Sequence, residues 1–166
     1  MTGRPFFMGR VQSRDANFTE PRMIAITDDN KPLSTTHKRI FRIEMPIRFA
    51  DMDADQHVNN AEFYRYMEEA RMQWVHSLGL AMTPPAPVPI LAASACVFRA
   101  PLKYPGTVTA DIYLGRVGNA SVRTHYQLID NATGQVAAEG YGVSVWVDPA
   151  TNKSIALPAA VRALGQ

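Results

Sequence analysis

The chain has little of several features that mark particular protein classes. A single cysteine, Cys96, stands among its 166 residues, so no internal disulfide can form, and this fits a reducing compartment. The longest apolar run, Ile90 to Phe98, has nine residues, far fewer than the ~20 that cross a bilayer. The N-terminus has neither the apolar segment nor the small-residue cleavage site of a secretory signal. These absences predict a cytoplasmic protein with no part in a membrane.

Concentrated charge of one sign is also absent. The chain has 17 Lys and Arg residues against 15 Asp and Glu, with a net charge of +2, and the basic residues are scattered among the acids. Proteins that bind nucleic acid usually show a concentrated basic stripe, so we expect no nucleic-acid partner. The chain also has no G-x-S-x-G and no G-x-G-x-x-G, which argues against a serine nucleophile elbow and a dinucleotide site.

Two regions differ in pattern. Residues 1–36 are rich in Pro, Asp, Asn, Thr and Arg without a sustained period, which predicts an N-terminal extension, with a short edge strand conceivable only at Met23 to Ile26. Residues 37–166 carry regular patterns and predict one domain. From Ile40 to Phe49 apolar and polar residues alternate, which is typical of a strand with one buried face. Pro46 cannot donate a ladder hydrogen bond, which indicates an edge or a bulge.

The period then changes from two to that of a helix. Apolar residues recur at spacings of four and three and predict one buried helical stripe, formed by Phe63, Met67, Ala70, Trp74 and Leu78. The predicted helix runs from Asn60 to Leu78 and is about 28 Å long at ~1.5 Å per residue. Asn59 is a suitable N-cap, Glu62 can reach back to it as in a capping box, and Gly79 can end the helix.

Beyond a proline-rich loop at 81–89, all the remaining patterns predict strands, at 90–100, 107–117, 121–129 and 135–147. Turn residues at Gly118-Asn119 and at 131–134 predict hairpins, so the sheet should be largely antiparallel. Together these elements predict an α+β fold in which a curved antiparallel sheet wraps around one long central helix. We expect Cys96 to be a small buried hydrophobe there. Uncovered edge strands favour a homodimer or homotetramer.

The stretch D-M-D-A-D-Q-H-V-N-N, residues 51–60, connects the first strand to the helix. Asp51, Asp53, Asp55 and His57 alternate as metal ligands sometimes do. A calcium loop needs glycine at its sixth position, where Gln56 stands, and needs helices on both sides, whereas a strand precedes this stretch. The four histidines of the chain are too far apart for a zinc pair. We therefore predict no metal.

Stretches rich in Asp and Asn commonly form structural turns, and that interpretation is favoured for Asp51 and Asp55. Asp53 differs because it lies just before a helix N-terminus, where backbone N–H groups have no intrahelical partner. Such N–H groups can stabilise an oxyanion, and a nearby carboxylate can act on a carbonyl carbon or on water. This pair of components is suited to acyl transfer from an activated ester such as a thioester.

The motif and helix together, R-F-A-D-M-D-A-D-Q-H-V-N-N-A-E-F-Y-R-Y-M-E-E-A-R, resemble the signature of the hotdog-fold thioesterases. The resemblance lies in the branch that includes 4-hydroxybenzoyl-CoA thioesterase and bacterial long-chain acyl-CoA thioesterases. It continues through F-R-A-P-L-K-Y-P-G, the G-N-A-S hairpin and A-E-G-Y-G-V-S-V-W-V-D to A-L-P, about residues 39–160. The resemblance implies a hotdog fold and hydrolysis of an acyl-CoA or acyl-carrier-protein thioester, with no cofactor.

The same resemblance implies roles for individual residues. The family's catalytic carboxylate falls on Asp53, acting as nucleophile or general base, and the N–H that polarises the thioester carbonyl falls at or next to Asn60. His57 and Asn59 match the H-V-N-N segment as orienting or capping groups, which places His57 in the catalytic set and Asn59 beside the substrate. Many relatives carry glycine where this chain has Gln56.

Three further residues are candidates for substrate binding. Glu68 matches an acid that relatives often have near the acyl pocket, but it also stands three residues from Arg65 and from Arg71, which is the spacing of ordinary helix-surface ion pairs. Arg99 and Lys103 match basic residues that meet coenzyme A phosphates in relatives, or they are solvated surface residues.

Two other functions stay open at this point. Hotdog domains also bind acyl thioesters without reacting them, since a fold does not determine a function. A hotdog dehydratase would act on a β-hydroxyacyl thioester through His57 with an acid. Only a thioesterase liberates free thiol, so thiol release separates the three functions.

Overall fold

The computed structural model describes residues 37–166, and the predicted extension at 1–36, with the possible strand at Met23 to Ile26, lies outside the described residues. Within 37–166 the elements are β1 (Arg39–Ile47), α1 (Asn60–Ser77), β2 (Val88–Phe98), β3 (Gly106–Val117), β4 (Ser121–Asp130), β5 (Val136–Asp148), β6 (Lys153–Ser154) and α2 (Ala159–Arg162). Neither helix of this part of the chain is long and apolar enough to span a membrane.

The strands form one sheet in the order β1-β3-β4-β5-β2, and β6 is added to β5. Every pairing is antiparallel, which confirms the predicted direction of the sheet. Register shifts interrupt each of the four long pairings, and such bulges bend and twist strands. β1 is an edge strand, as Pro46 predicts. Because β1 and β2 lie at opposite edges, the chain that joins them through α1 crosses the whole sheet.

Helix α1 lies against one face of this sheet. Four members of the predicted stripe are buried and Leu78 is partly buried, which confirms the stripe. The helix ends at Ser77, one residue before the predicted end, and Gly79 follows with a φ of 71°. The prediction of a long helix enclosed at the centre is corrected: α1 has 18 residues, and residues such as Arg65 and Glu69 on its other face are exposed.

The predicted buried face of the first strand is confirmed only in part. Met45 and Ile47 are buried, and Phe41 and Ile43 are half-buried. Phe49, the last residue of the alternating pattern, is 77% exposed. The strand ends at Ile47 and a 3-10 turn, Phe49–Asp51, follows, so the alternation of faces no longer applies to Phe49.

Strand β2 contains the most apolar run of the chain and is nevertheless the second edge of the sheet. Its larger side chains are substantially exposed, with Ile90 at 50%, Leu91 at 41% and Phe98 at 42%. Cys96, which we expected to be buried, is partly buried, and this burial raises the pKa of its thiol to about 11. The thiol is therefore neutral near pH 7 and is a poor nucleophile.

Candidate active site

The segment between β1 and α1, residues 48–59, is here called the motif loop. Its tip is closed by backbone hydrogen bonds: the N–H of Asp53 donates to the carbonyl of His57 at 2.8 Å, and the N–H of Gln56 donates to the carbonyl of Asp53 at 3.1 Å. A β-bridge between Met52 and Val58 closes the loop at its base. Asp53 and His57 are therefore held together by the backbone.

Gln56 has a left-handed backbone, with a φ of 61°. L residues with a side chain rarely adopt this conformation, whereas glycine adopts it without a steric penalty. The tight turn from Asp53 to His57 requires it. A glycine at this position would therefore form the turn without steric cost.

The carboxylate of Asp53 is half-buried and points back over its own turn. Its Oδ1 accepts the N–H of Asp55 at 2.9 Å and, with longer geometry, the N–H of His57 at 3.4 Å. No other residue in the range 37–166 donates to the carboxylate, so Oδ2 is open within the described chain. One oxygen is thus fixed by the loop and the other is available for chemistry.

The first turn of α1 begins where the motif loop ends. Asn59 is the N-cap, and its side chain accepts the N–H of Ala61 at 2.9 Å, which confirms the predicted cap. The N–H of Glu62 donates to the carbonyl of Asn59. The N–H of Asn60, at the first helical position, has no intrahelical acceptor by the geometry of a helix start. It is the open donor nearest the motif loop.

The predicted capping box is wrong. The N–H of Asn59, which the Glu62 side chain should have accepted, donates instead to the backbone carbonyl of Asp51 at 2.9 Å. The Glu62 carboxylate lies 3.5 Å from Arg65 and 3.7 Å from Arg48. The helix start is therefore attached to the motif loop through Asp51 and not closed on itself.

Asp51 is the important residue that the sequence interpretation missed. It is 1% exposed, and its Oδ2 accepts the backbone N–H of Arg48 and the hydroxyl of Tyr66, each at 2.8 Å. Its Oδ1 accepts the Arg48 guanidinium, with Nη2 at 2.9 Å and Nε at 3.0 Å. The predicted structural role of Asp51 is borne out, since its side chain accepts a backbone N–H; what the sequence interpretation missed is its burial and its contact with Tyr66. The spacing of Arg48 and Asp51 was visible in the sequence, but Tyr66 was not recognisable as their partner.

The pKa of the Asp51 carboxyl reflects a balance between burial and these hydrogen bonds. Burial acts to raise the pKa, but the hydrogen bonds from the Arg48 backbone, the Tyr66 hydroxyl and the Arg48 guanidinium outweigh it and hold the pKa below the usual value. Burial and the hydrogen bond to Asp51 also raise the pKa of Tyr66. Near neutral pH Asp51 is an anion and Tyr66 donates to it.

The connection between β2 and β3 lies directly against the motif loop. The N–H of Val58 donates to the carbonyl of Leu102 at 2.9 Å, and the N–H of Tyr104 donates to Sδ of Met52 at 3.4 Å. Leu102 is 1% exposed and anchors this connection. Lys103, between these two contacts, is exposed and stands beside the motif loop.

Arg99 is placed differently from Lys103. Its guanidinium donates to the Glu139 carboxylate on β5, with Nη2 at 3.1 Å and Nε at 3.3 Å. This pairing leaves less of its hydrogen-bonding capacity for a phosphate.

Glu68 lies two turns from Asn60, about 12 Å along the helix axis. Its side chain is 65% exposed and stands 3.8 Å from Nη2 of Arg71, which is the helix-surface pair that the spacing indicated. Arg65, the other expected partner, pairs with Glu62. Glu68 also lines a cleft of about 670 Å³ between α1 and β1, together with Met45 and Met72.

Among the described residues, no group of three or more His, Cys, Asp or Glu side chains is arranged to hold a metal ion.

Comparison with known proteins places this geometry in a family. A sequence model of the thioesterase-like superfamily matches residues 47–164, which include the motif loop, α1 and the strands that follow. The chain belongs to the thioesterase-like superfamily. Its solved structural neighbours include hotdog-fold thioesterases. No curated protein shows significant similarity to this superfamily member.

Three of the similar solved structures illustrate the range of sequence identity to this chain. A proposed thioesterase from Pseudomonas aeruginosa is 32% identical, with a TM-score of 0.75 over 78% of this chain and 100% of that chain. A proposed acyl-CoA thioesterase from Xanthomonas campestris is 34% identical, with a TM-score of 0.60 over 68% of this chain and 96% of the other. A 1,4-dihydroxy-2-naphthoyl-CoA thioesterase from Synechocystis is 18% identical, with a TM-score of 0.68 over 74% and 92%, and shows the shared fold alone.

Proposed function

We propose that this superfamily member hydrolyses an acyl-CoA thioester to a free acid and a thiol, with Asp53 as the reactive carboxylate and the Asn60 N–H as oxyanion donor. The observation that carries the proposal is that Asp53 stands on the closed turn of the motif loop and that Asn60 follows this loop directly, at the first position of α1. Asp53 offers an open oxygen on a rigid turn, and Asn60 offers an unpaired amide at a helix N-terminus.

The proposed reaction begins with the thioester carbonyl oxygen accepting the Asn60 N–H. In the general-base route, Asp53 takes a proton from water as the water oxygen attacks the carbonyl carbon. The tetrahedral intermediate then expels the thiolate, which receives the proton, so the net reaction consumes one water. In the nucleophilic route, Asp53 attacks the carbonyl carbon, the thiolate leaves, and water hydrolyses the mixed anhydride.

His57 supports this site through its backbone. Its carbonyl accepts the Asp53 N–H and its own N–H reaches Oδ1 of Asp53, so both ends of Asp53 are oriented by the same residue. We propose that His57 and Asn59 position the carboxylate and the helix start, and that Lys103 meets the substrate. Glu68 forms an ion pair with Arg71, and Arg99 forms one with Glu139, so we propose that both contribute less to substrate binding than Lys103 does.

The test is the release of free thiol from a panel of acyl-CoA thioesters. Replacement of Asp53 with Asn keeps the shape and removes the charge, and it should lower kcat by roughly 100- to 10,000-fold, the usual size of acid–base contributions. Asp55→Asn is the matched control, because the Asp55 side chain is exposed and only its backbone N–H contacts Asp53. Near-normal turnover by Asp53→Asn would exclude the mechanism, and binding without thiol release would favour a non-catalytic module.

Incorporation of an oxygen isotope into Asp53 would establish the nucleophilic route. When many turnovers proceed in ¹⁸O-labelled water, the nucleophilic route inserts ¹⁸O into the Asp53 carboxyl whenever water attacks the anhydride on the enzyme side. The general-base route leaves this carboxyl unlabelled. Mass spectrometry of the peptide that contains Asp53 reads the difference.

We further propose that the protein is a cytoplasmic homodimer or homotetramer, in which β2 of one copy pairs with β2 of another. The support is the exposed apolar edge strand, whose free backbone groups are a template for pairing with a second strand. Burial of Ile90 and Leu91 in such an interface would account for apolar side chains that a single chain leaves exposed.

A further inference from the structure

Two exposed aromatic side chains contact each other beside the motif loop. Phe49 is 77% exposed and Tyr104 is 47% exposed. Their ring centroids are 5.8 Å apart with an interplanar angle of 81°, which is an edge-to-face pair. In this arrangement at least one face of each ring is left uncovered by the other ring. We call these two side chains the aromatic pair.

The aromatic pair is attached rigidly to the loop that carries Asp53. The N–H of Met52 donates to the carbonyl of Phe49 at 3.2 Å, and the N–H of Tyr104 donates to Sδ of Met52 at 3.4 Å. Met52 therefore links both aromatic residues and immediately precedes Asp53. The aromatic pair is thus held next to the residue that precedes the proposed reactive carboxylate.

Positive charge accompanies the two rings. Lys103 precedes Tyr104, is exposed, and forms no ion pair within residues 37–166. Arg48 precedes Phe49, and its side chain is 60% exposed although it also pairs with Asp51. Exposed π-faces beside a free cation are the features that bind a nucleotide, since the base stacks on the ring and the cation meets a phosphate.

We propose that the aromatic pair binds the adenine base of coenzyme A and that Lys103 meets a phosphate of the same nucleotide. The inference rests on the proposed thioesterase function and makes it more specific. A carrier protein presents its acyl group on phosphopantetheine, which has no base to stack. The aromatic pair therefore selects coenzyme A over a carrier protein as the substrate carrier.

The first experiment compares two substrates with the same acyl group, an acyl-CoA and the corresponding acyl-pantetheine, which lacks the nucleotide. Phe49→Ala should raise KM for the acyl-CoA by roughly five- to a hundredfold, the usual effect of removing one base stack, and should leave KM for the acyl-pantetheine unchanged. Tyr141→Ala is the control, because this half-exposed ring lies on β5 against Arg123.

Equal changes with both substrates would show that the aromatic pair merely supports the motif loop, and no change with either would show that it binds nothing; both results overturn the proposal. Preferential turnover of an acyl-carrier protein in a reaction that Phe49→Ala impairs would also overturn it.

A second measurement needs no catalysis and separates this proposal from the proposed function. Isothermal titration with adenosine 3′,5′-bisphosphate should show binding that Phe49→Ala weakens by a similar factor and that Lys103→Ala also weakens. If no thioester is hydrolysed but this binding is seen, the proposed nucleotide site is supported and the proposed thioesterase activity is contradicted. If hydrolysis is seen without this binding, the aromatic pair is not a nucleotide site.

Discussion

At the scale of single residues, Asp53, the carboxylate proposed to react, stands on a loop that is anchored by a second carboxylate facing the protein interior. Asp51 is buried and accepts hydrogen bonds from Arg48 and Tyr66, while its backbone carbonyl holds the N–H of Asn59. A buried charge is tolerated only when it is paired and hydrogen-bonded. Asp51 thus ties the end of β1, the motif loop and the first turn of α1 into one unit.

Replacement of Asp51 with Asn should lower the free energy of unfolding by about 3 kcal/mol near pH 7, because it breaks a buried ionic contact. The folded-state pKa of Asp51 lies below the unfolded value, so its stabilisation is present above the unfolded pKa of ~3.9 and is lost as pH falls through the folded pKa. Urea denaturation across acidic pH should therefore show a decline in the unaltered protein that is smaller in the variant.

Asp55→Asn is the control for this prediction, since its exposed side chain should change stability by only a few tenths of a kcal/mol. An acid decline of equal steepness in the Asp51→Asn variant would show that other carboxyls cause it.

Gln56 shows the opposite case, a residue that is locally unfavourable. A side chain in the left-handed region costs roughly 1–2 kcal/mol, and glycine removes that cost while adding conformational entropy to the unfolded chain. Gln56→Gly should therefore raise the free energy of unfolding by about 0.5–1 kcal/mol, measured as a higher Tm. Ala54→Gly, also exposed in the motif loop, should lower it instead. A lower Tm for Gln56→Gly would contradict the strain.

At the scale of elements, the start of α1 determines whether the Asn60 N–H is available. A helix start has unpaired N–H groups and carries the positive end of the helix dipole. Here the Asn59 side chain accepts the N–H of Ala61, and the Asp51 carbonyl of the motif loop accepts the N–H of Asn59. Both donors are therefore hydrogen-bonded, whereas the N–H of Asn60 has no acceptor by the geometry of a helix start. The strand, loop and helix together thus produce the proposed oxyanion site, which no single element has.

Asn59→Ala should destabilise the protein by about 1 kcal/mol through loss of the cap, and should lower kcat because the first turn of α1 frays. Asn59→Asp keeps an oxygen that accepts the Ala61 N–H and should retain both stability and turnover. Chemical denaturation and thiol release measure the two effects. Unchanged kcat in a destabilised Asn59→Ala variant would argue that the Asn60 N–H takes no part in the reaction.

At the scale of the whole molecule, the two sheet edges differ. β1 contains Pro46, which has no backbone N–H to donate, and it carries Arg42 and Glu44 on its exposed face; these features discourage edge pairing. β2 contains Pro89 and a register shift between Leu91 and Ala93, but it carries no charged side chain, and its Ile90 and Leu91 are exposed. An antiparallel strand can pair with a copy of itself about a two-fold axis, which is the symmetry of most dimers.

Ile90→Lys should therefore shift the protein toward monomer in sedimentation velocity at micromolar concentration, because it places like charges against each other across the two-fold axis. Ala150→Lys adds the same charge at an exposed turn and should leave the assembly unchanged. A dimer of undiminished stability in the Ile90→Lys variant would place the interface elsewhere.

Local physical rules in the sequence determined the elements of this protein and the position of its motif. Alternation over Ile43, Met45 and Ile47 specified the first strand, and spacings of three and four specified the helical stripe, since neighbours a few residues apart share a face whatever the rest of the chain does. Asn59 as a cap and Gly79 as a stop follow from the same short range. The resemblance of the motif to known sequences then indicated the family. The family model that matches residues 47–164 shows that this indication was right.

Only the tertiary structure decided which distant residues meet. Asp51 is hydrogen-bonded to Tyr66, which is fifteen residues away in the sequence, and Arg99 is hydrogen-bonded to Glu139, forty residues away. Phe49 contacts Tyr104, which lies on the connection between β2 and β3. It also decided that the most apolar strand is an edge. These contacts depend on strand order and register, in which a shift of one residue exchanges the two faces of a strand, and no local pattern specifies that register.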